Sequence, residues 1–280
     1  MPAFLAKTGL PYWFDLVTSD SERSSAFYRE ILEWEIAPAS DDYQIGRVQG
    51  LPVAGFIPQP EGPDAWVTYI LSNDLDGDCE RAENLGGKVL GEVREVELGK
   101  MVLLQDPVGA VFGLIRPVGQ ENFVAGGEPG LPVWHELNVT HNFQAALDFY
   151  GELFNWEINV TRSEDSEEIS DADYATAEEQ GAPFAGFWNA KGSFPETTPS
   201  FWLTYIGVRD IEAVAKAVEK HGGQILQSVM DSPFGRLCMV RDVTGAIVPF
   251  VEVEDAPEEE PQESDDLLGM DIDGPGPTRG

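Results

Sequence analysis

The chain repeats itself in order, and that duplication constrains its fold more than any other feature. Leu10-Pro11-Tyr12-Trp13-Phe14-Asp15-Leu16 is answered by Leu131-Pro132-Val133-Trp134-His135-Glu136-Leu137. Phe27-Tyr28 returns as Phe149-Tyr150, and Trp34-Glu35-Ile36 as Trp156-Glu157-Ile158. Ala54-Gly55-Phe56 returns as Ala185-Gly186-Phe187, and Trp66-Val67-Thr68-Tyr69 as Trp202-Leu203-Thr204-Tyr205. The offset grows stepwise from 121 to 136 residues and never reverses. An ancestral unit was therefore duplicated and then lengthened in loops, and the repeat sets the architecture.

Each repeat again reads as two similar units of strand, helix and three strands. Tyr12–Thr18 is rich in aromatic and β-branched residues and predicts a strand. Ser19-Asp20-Ser21 offers an N-cap to a helix over 24–32, where Ala26, Phe27, Ile31 and Leu32 recur at helical spacing. Short strands follow near 34–37, 43–48 and 53–57 before a proline-rich break at 58–63. The pattern restarts with a strand at 66–71, a helix capped by Asn73-Asp74, a Gly86-Gly87 stop, and strands at 88–95, 101–104 and 111–115. Residues 131–253 repeat both units, with helices at 143–153 and 210–221. The expected organisation is one domain over 8–117, a linker at 118–130, a second domain over 131–253 and an acidic, disordered tail at 254–280. Each repeat is long enough to bury a core of its own. An acidic-apolar run at Asp265-Asp266-Leu267-Leu268-Gly269-Met270 is a candidate docking motif for a protein partner.

Net charge is −33, and it is not confined to the tail: residues 1–251 carry 39 acids against 16 basic residues. Such a surface repels phosphate backbones and anionic membranes, which argues against nucleic-acid and membrane partners and favours neutral or cationic small ligands. No apolar run approaches the roughly 20 residues needed to cross a bilayer. No secretory signal is read at the start, and Cys79 and Cys238 are too few for a disulfide framework, so a reducing cytoplasm is expected. No phosphate-binding, nucleophile-elbow or Cys-x-x-Cys motif is present.

Paired βαβββ units, a strand–Asp–helix–Phe-Tyr succession, the Ala-Gly-Phe strand and the turn at Asp106-Pro107-Val108-Gly109-Ala110 together resemble the vicinal oxygen chelate superfamily. That group includes glyoxalases, bleomycin-resistance proteins and extradiol dioxygenases. The resemblance covers residues 10–253 and is nearest the tandem two-domain actinobacterial type. It implies an α+β fold of four βαβββ modules forming two tandem glyoxalase-like domains, with paired modules curling into cups. It also implies that metal-using members draw ligands from the first and last strands of each module. At the corresponding positions stand Trp13, Val67 and Gly113 in the first repeat, and Leu203 and Pro249 in the second; the Ala-Gly-Phe strands offer no donor either. None of these can ligate a divalent cation, so no cofactor is expected. His135 is the only candidate ligand. It faces into the cup if the extra residue of the second repeat is a bulge within its strand, and away from it if that residue lies in the turn at Thr140-His141-Asn142.

Strand alternation puts Trp13 with Asp15, Trp134 with Glu136, Val67 with Tyr69, and Leu203 with Tyr205 on the cup faces. Lys100 and Arg236, equivalent across the repeat, stand near a possible rim. The tentative catalytic set is Asp15, Glu136, Tyr69 and Tyr205; the ligand-contact set is Trp13, Trp134, Val67, Leu203, Lys100 and Arg236. Asp15 and Glu136 have three roles open to them: satisfying a buried polar network, recognising a ligand, or transferring protons from a desolvated carboxyl. The expected function is metal-free binding of a small, planar or cationic organic molecule by a monomer. The alternative is a glyoxalase-like lyase, isomerase or oxygenase.

Overall fold

A computed structural model describes residues 3–118, 123–161, 174–232 and 235–255. The acidic segment from residue 256 onward, with the docking motif expected in it, lies outside these. Module one comprises β2 (Pro11–Thr18), α1 (Ser21–Leu32), β3 (Glu35–Ser40), β4 (Tyr43–Val48) and β5 (Leu51–Pro58). Module two comprises β6 (Ala65–Leu71), α2 (Leu75–Asn84), β7 (Lys88–Val89), β8 (Arg94–Val96), β9 (Gly99–Gln105) and β10 (Val111–Pro117). The second repeat follows with β12 (Pro132–Val139), α3 (Phe143–Phe154), β13 (Glu157–Thr161), β14 (Tyr174–Glu179) and β15 (Ala182–Asn189). Its fourth module is β16 (Phe201–Val208), α4 (Ile211–Lys220), β17 (Gln224–Ser232), β18 (Gly235–Arg241) and β19 (Ile247–Glu252).

The two large sheets have the same order, β3-β4-β5-β2-β6-β10-β9-β7 and β13-β14-β15-β12-β16-β19-β18-β17. In each, the first strands of two modules join antiparallel at the centre, β2 with β6 and β12 with β16. The α+β architecture of four βαβββ modules expected from the duplication is present. Two elements depart from expectation. The single strand expected over 88–95 is split into β7 and β8, because after Leu90, whose N–H still bonds the Leu103 carbonyl, the chain leaves the sheet as an exposed bend over 91–93. Within the linker, β11 (Phe123–Ala125) pairs with β1 (Ala3–Leu5), tying the start of the chain to the junction between repeats.

Asp20, Asp74 and Asp210 cap their helices through side-chain bonds to backbone N–H groups at Arg23, Gly77 and Ala213. Asn142 does not: it adopts φ +52° and makes no side-chain cap. β2 and β12 have equal length and carry the same bulge near their starts. The extra residue of the second repeat therefore sits in the turn before α3.

The helix-side cores are shared between the repeats, not private to each. One joins Leu104, Phe112 and Leu114 of module two to Phe143, Leu147 and Tyr150 of α3. The other joins Phe27, Tyr28 and Ile31 of α1 to Val240, Val248 and Phe250 of module four. Hydrogen bonds cross at equivalent points. The Tyr28 hydroxyl donates to Asp242 and the Tyr150 hydroxyl to Asp106, each at 3.0 Å. Trp34 Nε1 donates to the carbonyl of Gly130 and Trp156 Nε1 to that of Gly9. The first repeat does bury one core of its own, on its cup side, whereas each helix-side core draws on both repeats. The apolar faces of α1 and α3 are buried jointly by strands of their own repeat and by strands of the other.

Candidate functional site

Pairing of β2 with β6 sets Trp13 opposite Tyr69 and Asp15 opposite Val67, while β5 places Gly55 beside Asp15. Asp15 Oδ1 accepts from Trp13 Nε1 and from the Tyr43 hydroxyl, both at 2.7 Å. Oδ2 is equally enclosed and has no partner of normal geometry. The same arrangement recurs in the second repeat. Glu136 accepts from the hydroxyls of Tyr205 and Tyr174, one on each oxygen and both at 2.9 Å, and Trp134 Nε1 donates to Tyr174 at 3.1 Å. The structure thus brings together Trp13, Asp15, Val67 and Tyr69, and likewise Trp134, Glu136, Leu203 and Tyr205. It adds Tyr43 and Tyr174, which sequence reasoning passed over. Their offset of 131 equals that of Gly55 and Gly186, so the duplication already carried the signal.

Glycine is required beside each cluster. A Cβ on Gly55 would stand 2.0 Å from Asp15 Oδ1, and one on Gly186 would stand 1.9 Å from the Tyr174 hydroxyl. Gly113 is occupied in the same way by the Tyr69 ring.

Lys100 and Arg236 are not brought to the cups. Met101 takes the cup side, while Val102 and Cys238 enter the helix-side cores, so Lys100 and Arg236, two residues before the latter pair, share the helix-side parity. Lys100 pairs with Glu95, and Arg236 with Glu212 and Glu252. His135 also lies on the face away from the cup. Its Nδ1 is 3.0 Å from Thr204 Oγ1, and the ring lines a small cavity of about 110 Å³ between the repeats, with Phe14, Pro11 and Pro132. Burial pushes its pKa down to about 4, so it is neutral at physiological pH.

A divalent cation does not fit either cup. The strand positions that face the centre hold Trp13, Gly55, Val67 and Gly113 in one, and Trp134, Gly186, Leu203 and Pro249 in the other. The one carboxylate of each cup is already engaged by tyrosine hydroxyls. Among the described residues no three His, Cys, Asp or Glu side chains converge.

The two cups differ in filling. In the first, Trp13, Tyr43, Ile45, Val67, Tyr69, Met101 and Ile115 form a closed core, and Asp15 is 0 % exposed. In the second, Trp134, Glu136, Tyr174 and Tyr205 are all only half-buried. Four cup-side positions have changed character: Val17, Ile45, Ile57 and Ala65 of the first repeat correspond to Asn138, Thr176, Trp188 and Phe201 of the second. The second cup is more open, more polar and more aromatic.

Burial dominates the electrostatics. It pushes the Asp15 carboxyl from 3.8 up to about 6 against the pull of its Tyr43, Trp13 and Tyr69 donors, and it raises Glu136 in the same way. Burial and the adjacent carboxyls push Tyr43, Tyr174 and Tyr205 upward, so these hydroxyls remain protonated donors. An acid whose pKa is raised on folding binds its proton more tightly in the native state, so its contribution to stability grows as pH falls from above 6 toward 4. For Asp15 the shift corresponds to at most about 3 kcal/mol. Asp106, also pushed up to about 6 by burial, has the same sign, whereas neutral His135 opposes it below about 6.5. The melting temperature should therefore rise from pH 8 to pH 5, and Asp15→Asn should flatten that rise. An unchanged pH profile in Asp15→Asn would show that Asp15 is not titrating in this window.

Among the described residues no helix is long and apolar enough to cross a membrane. Residues 13–115 match the family described as Glyoxalase-like domain, and residues 135–250 match the Glyoxalase/Bleomycin resistance protein/Dioxygenase superfamily. CFP32 of Mycobacterium bovis, provisionally a glyoxylase, is 28 % identical over 265 residues, spanning 90 % of this chain and 97 % of that protein. The anthracycline biosynthesis protein DnrV of Streptomyces peucetius is 27 % identical over 272 residues, spanning 88 % of this chain and 94 % of its own. The Mn(II)-bound glyoxalase from Novosphingobium aromaticivorans superposes with a TM-score of 0.61 at 14 % identity, covering 90 % of this chain and 84 % of that one, a likeness of fold. With matching families over both halves and relatives that span nearly its whole length, the chain belongs to the glyoxalase/bleomycin resistance protein/dioxygenase superfamily as a tandem two-domain member.

Proposed function

We propose that this protein binds a small planar organic molecule in the cup of its second repeat without a metal, and that the first cup is a structural core. The observation that carries this reading is the contrast between two equivalent carboxylate–tyrosine clusters: Asp15 is 0 % exposed inside packed side chains, while Glu136 and its tyrosines are half-buried. A cup walled by Trp134, Trp188, Leu203 and Phe201 offers flat apolar surface, and Glu136 supplies an acceptor for a ligand hydroxyl. The kinship with DnrV supports a planar aromatic ligand, since that relative is named for anthracycline biosynthesis. The acidic body favours neutral or cationic ligands over anions.

The test is titration with 4-ethylphenol followed by tryptophan fluorescence and calorimetry. Glu136→Gln exchanges a charged acceptor for a neutral one and should weaken binding about tenfold, the equivalent of about 1.4 kcal/mol. Asp15→Asn should leave binding unchanged. Equal loss in both variants, or no binding to the wild type, would overturn the reading. A compound turned over by the wild type but only bound by Glu136→Gln would replace sequestration with catalysis.

A further inference from the structure

Asn138 lies two residues beyond Glu136 on β12 and therefore shares its cup face. It is 2 % exposed, and its Nδ2 is buried without a hydrogen-bond partner. Buried polar groups in folded proteins are paired, and one left unpaired costs free energy each time the chain folds. The duplication supplies a control inside the same molecule: the equivalent position in the closed first cup is Val17, packed as an ordinary apolar residue. A valine is thus compatible with this strand, yet the second repeat carries an amide whose nitrogen has nothing to bond.

The surroundings show what such an amide is suited to. Asn138 is flanked across the sheet by Trp188 on β15 and by Phe201 on β16, the residues that stand where the first repeat has Ile57 and Ala65. Phe194 bridges them, with ring centroids 6.0 Å from Trp188 and 5.3 Å from Phe201. The amide N–H therefore sits amid aromatic rings, at one end of a cup whose carboxylate is Glu136, already bonded to Tyr174 and Tyr205. One end donates and the other accepts. Two residues of extended strand separate them, roughly 6–7 Å.

We infer that Asn138 is the specificity-determining donor of this cup, and that the preferred ligands are planar hydroxyaryl carbonyl compounds. The ligand hydroxyl donates to Glu136, and its carbonyl oxygen accepts from Asn138 Nδ2. This rests on the second cup being the binding site, and it adds the chemical class of the ligand. Neither group alone selects this class. Glu136 takes any donor, and the aromatic walls take any flat ring. Only a ligand with both groups at the right span pairs the buried amide and the carboxylate at once.

The experiment compares three probes on the full chain by calorimetry: 4-hydroxyacetophenone, 4-ethylphenol, which lacks the carbonyl, and acetophenone, which lacks the hydroxyl. The wild type should bind 4-hydroxyacetophenone at least tenfold more tightly than 4-ethylphenol. Asn138→Val, which installs the residue of the first repeat, should bring the ratio of the two affinities to about one and melt no lower than the wild type because an unpaired polar group is gone. Acetophenone should bind wild type and Glu136→Gln equally, since it makes no use of the carboxylate. A preference that survives Asn138→Val, or 4-ethylphenol binding that depends on Glu136 with no preference for the carbonyl, overturns the role of Asn138 while leaving the cup as the site. Failure of all three probes to bind overturns both.

Discussion

Gly55→Ala should be among the most destabilising single-methyl additions available in this protein. The added Cβ would meet Asp15 Oδ1 at 2.0 Å and the Tyr43 hydroxyl at 2.1 Å. Gly55 is not in the left-handed region, so alanine suits its backbone and the cost is steric alone. Asp15 and Tyr43 cannot retreat, because Trp13, Ile45 and Tyr69 close the first cup around them. The variant must overpack a core and also break buried hydrogen bonds, and about 3 kcal/mol or more is expected. For a chain of this size that corresponds to a fall in melting temperature on the order of 10 °C. Gly113→Ala, directed at the Tyr69 ring at 2.0 Å, should behave alike. Gly186→Ala makes an equally close approach to Tyr174, but Tyr174 is half-buried and can swing outward, so its cost should be clearly smaller. Gly91→Ala, with nothing within 4 Å, is the neutral control. Equal losses at Gly55 and Gly186 would mean that the two cups are packed alike, and the functional asymmetry would fall with that result.

The cup faces were legible in the chain because strand alternation is a local property: once Trp13 was placed on a strand, Asp15 followed, and Tyr69 came opposite through the duplicated pattern. The caps at Asp20, Asp74 and Asp210 were legible for the same reason. Lys100 and Arg236 show the limit of that logic, since an error of one residue in a strand changes the face and turns an expected rim contact into an outer ion pair. Tyr43 and Tyr174 were readable but unread: they lie outside the matched words, on strands whose only cue is a shared offset. Which partner covers an apolar helix was not readable at all. The spacing in α1 states that Phe27, Tyr28 and Ile31 are buried, and nothing in it states that residues some 200 positions away share in burying them.

That last fact makes the second large effect a failure of the halves to fold apart. Residues 1–126 and 127–280, produced separately, should each lack a cooperative unfolding transition and should regain one when mixed. Cutting there strips α1 of its contacts with Val240, Val248 and Phe250, and α3 of its contacts with Leu104, Phe112 and Leu114. It also leaves Asp106 and Asp242 without the tyrosine hydroxyls that donate to them, and removes the Gly130 and Gly9 carbonyl acceptors of Trp34 and Trp156. The apolar surface exposed on each half is the full width of a core layer, which invites aggregation. A point variant tests the same joint in the intact chain. Tyr150→Phe removes a hydroxyl that donates to Asp106 and accepts from Trp202, orphaning two buried groups at roughly 1–3 kcal/mol each. Tyr28→Phe does the same to Asp242 and Trp66. Calorimetry of the intact chain should show one transition, lowered in both variants without splitting. Two resolved transitions, or a soluble half that melts cooperatively, would mean that the repeats are independent and that the shared cores do not couple them. A single transition would mean that the two repeats unfold as one cooperative unit, so that mutations in the closed first cup destabilise the second repeat as well.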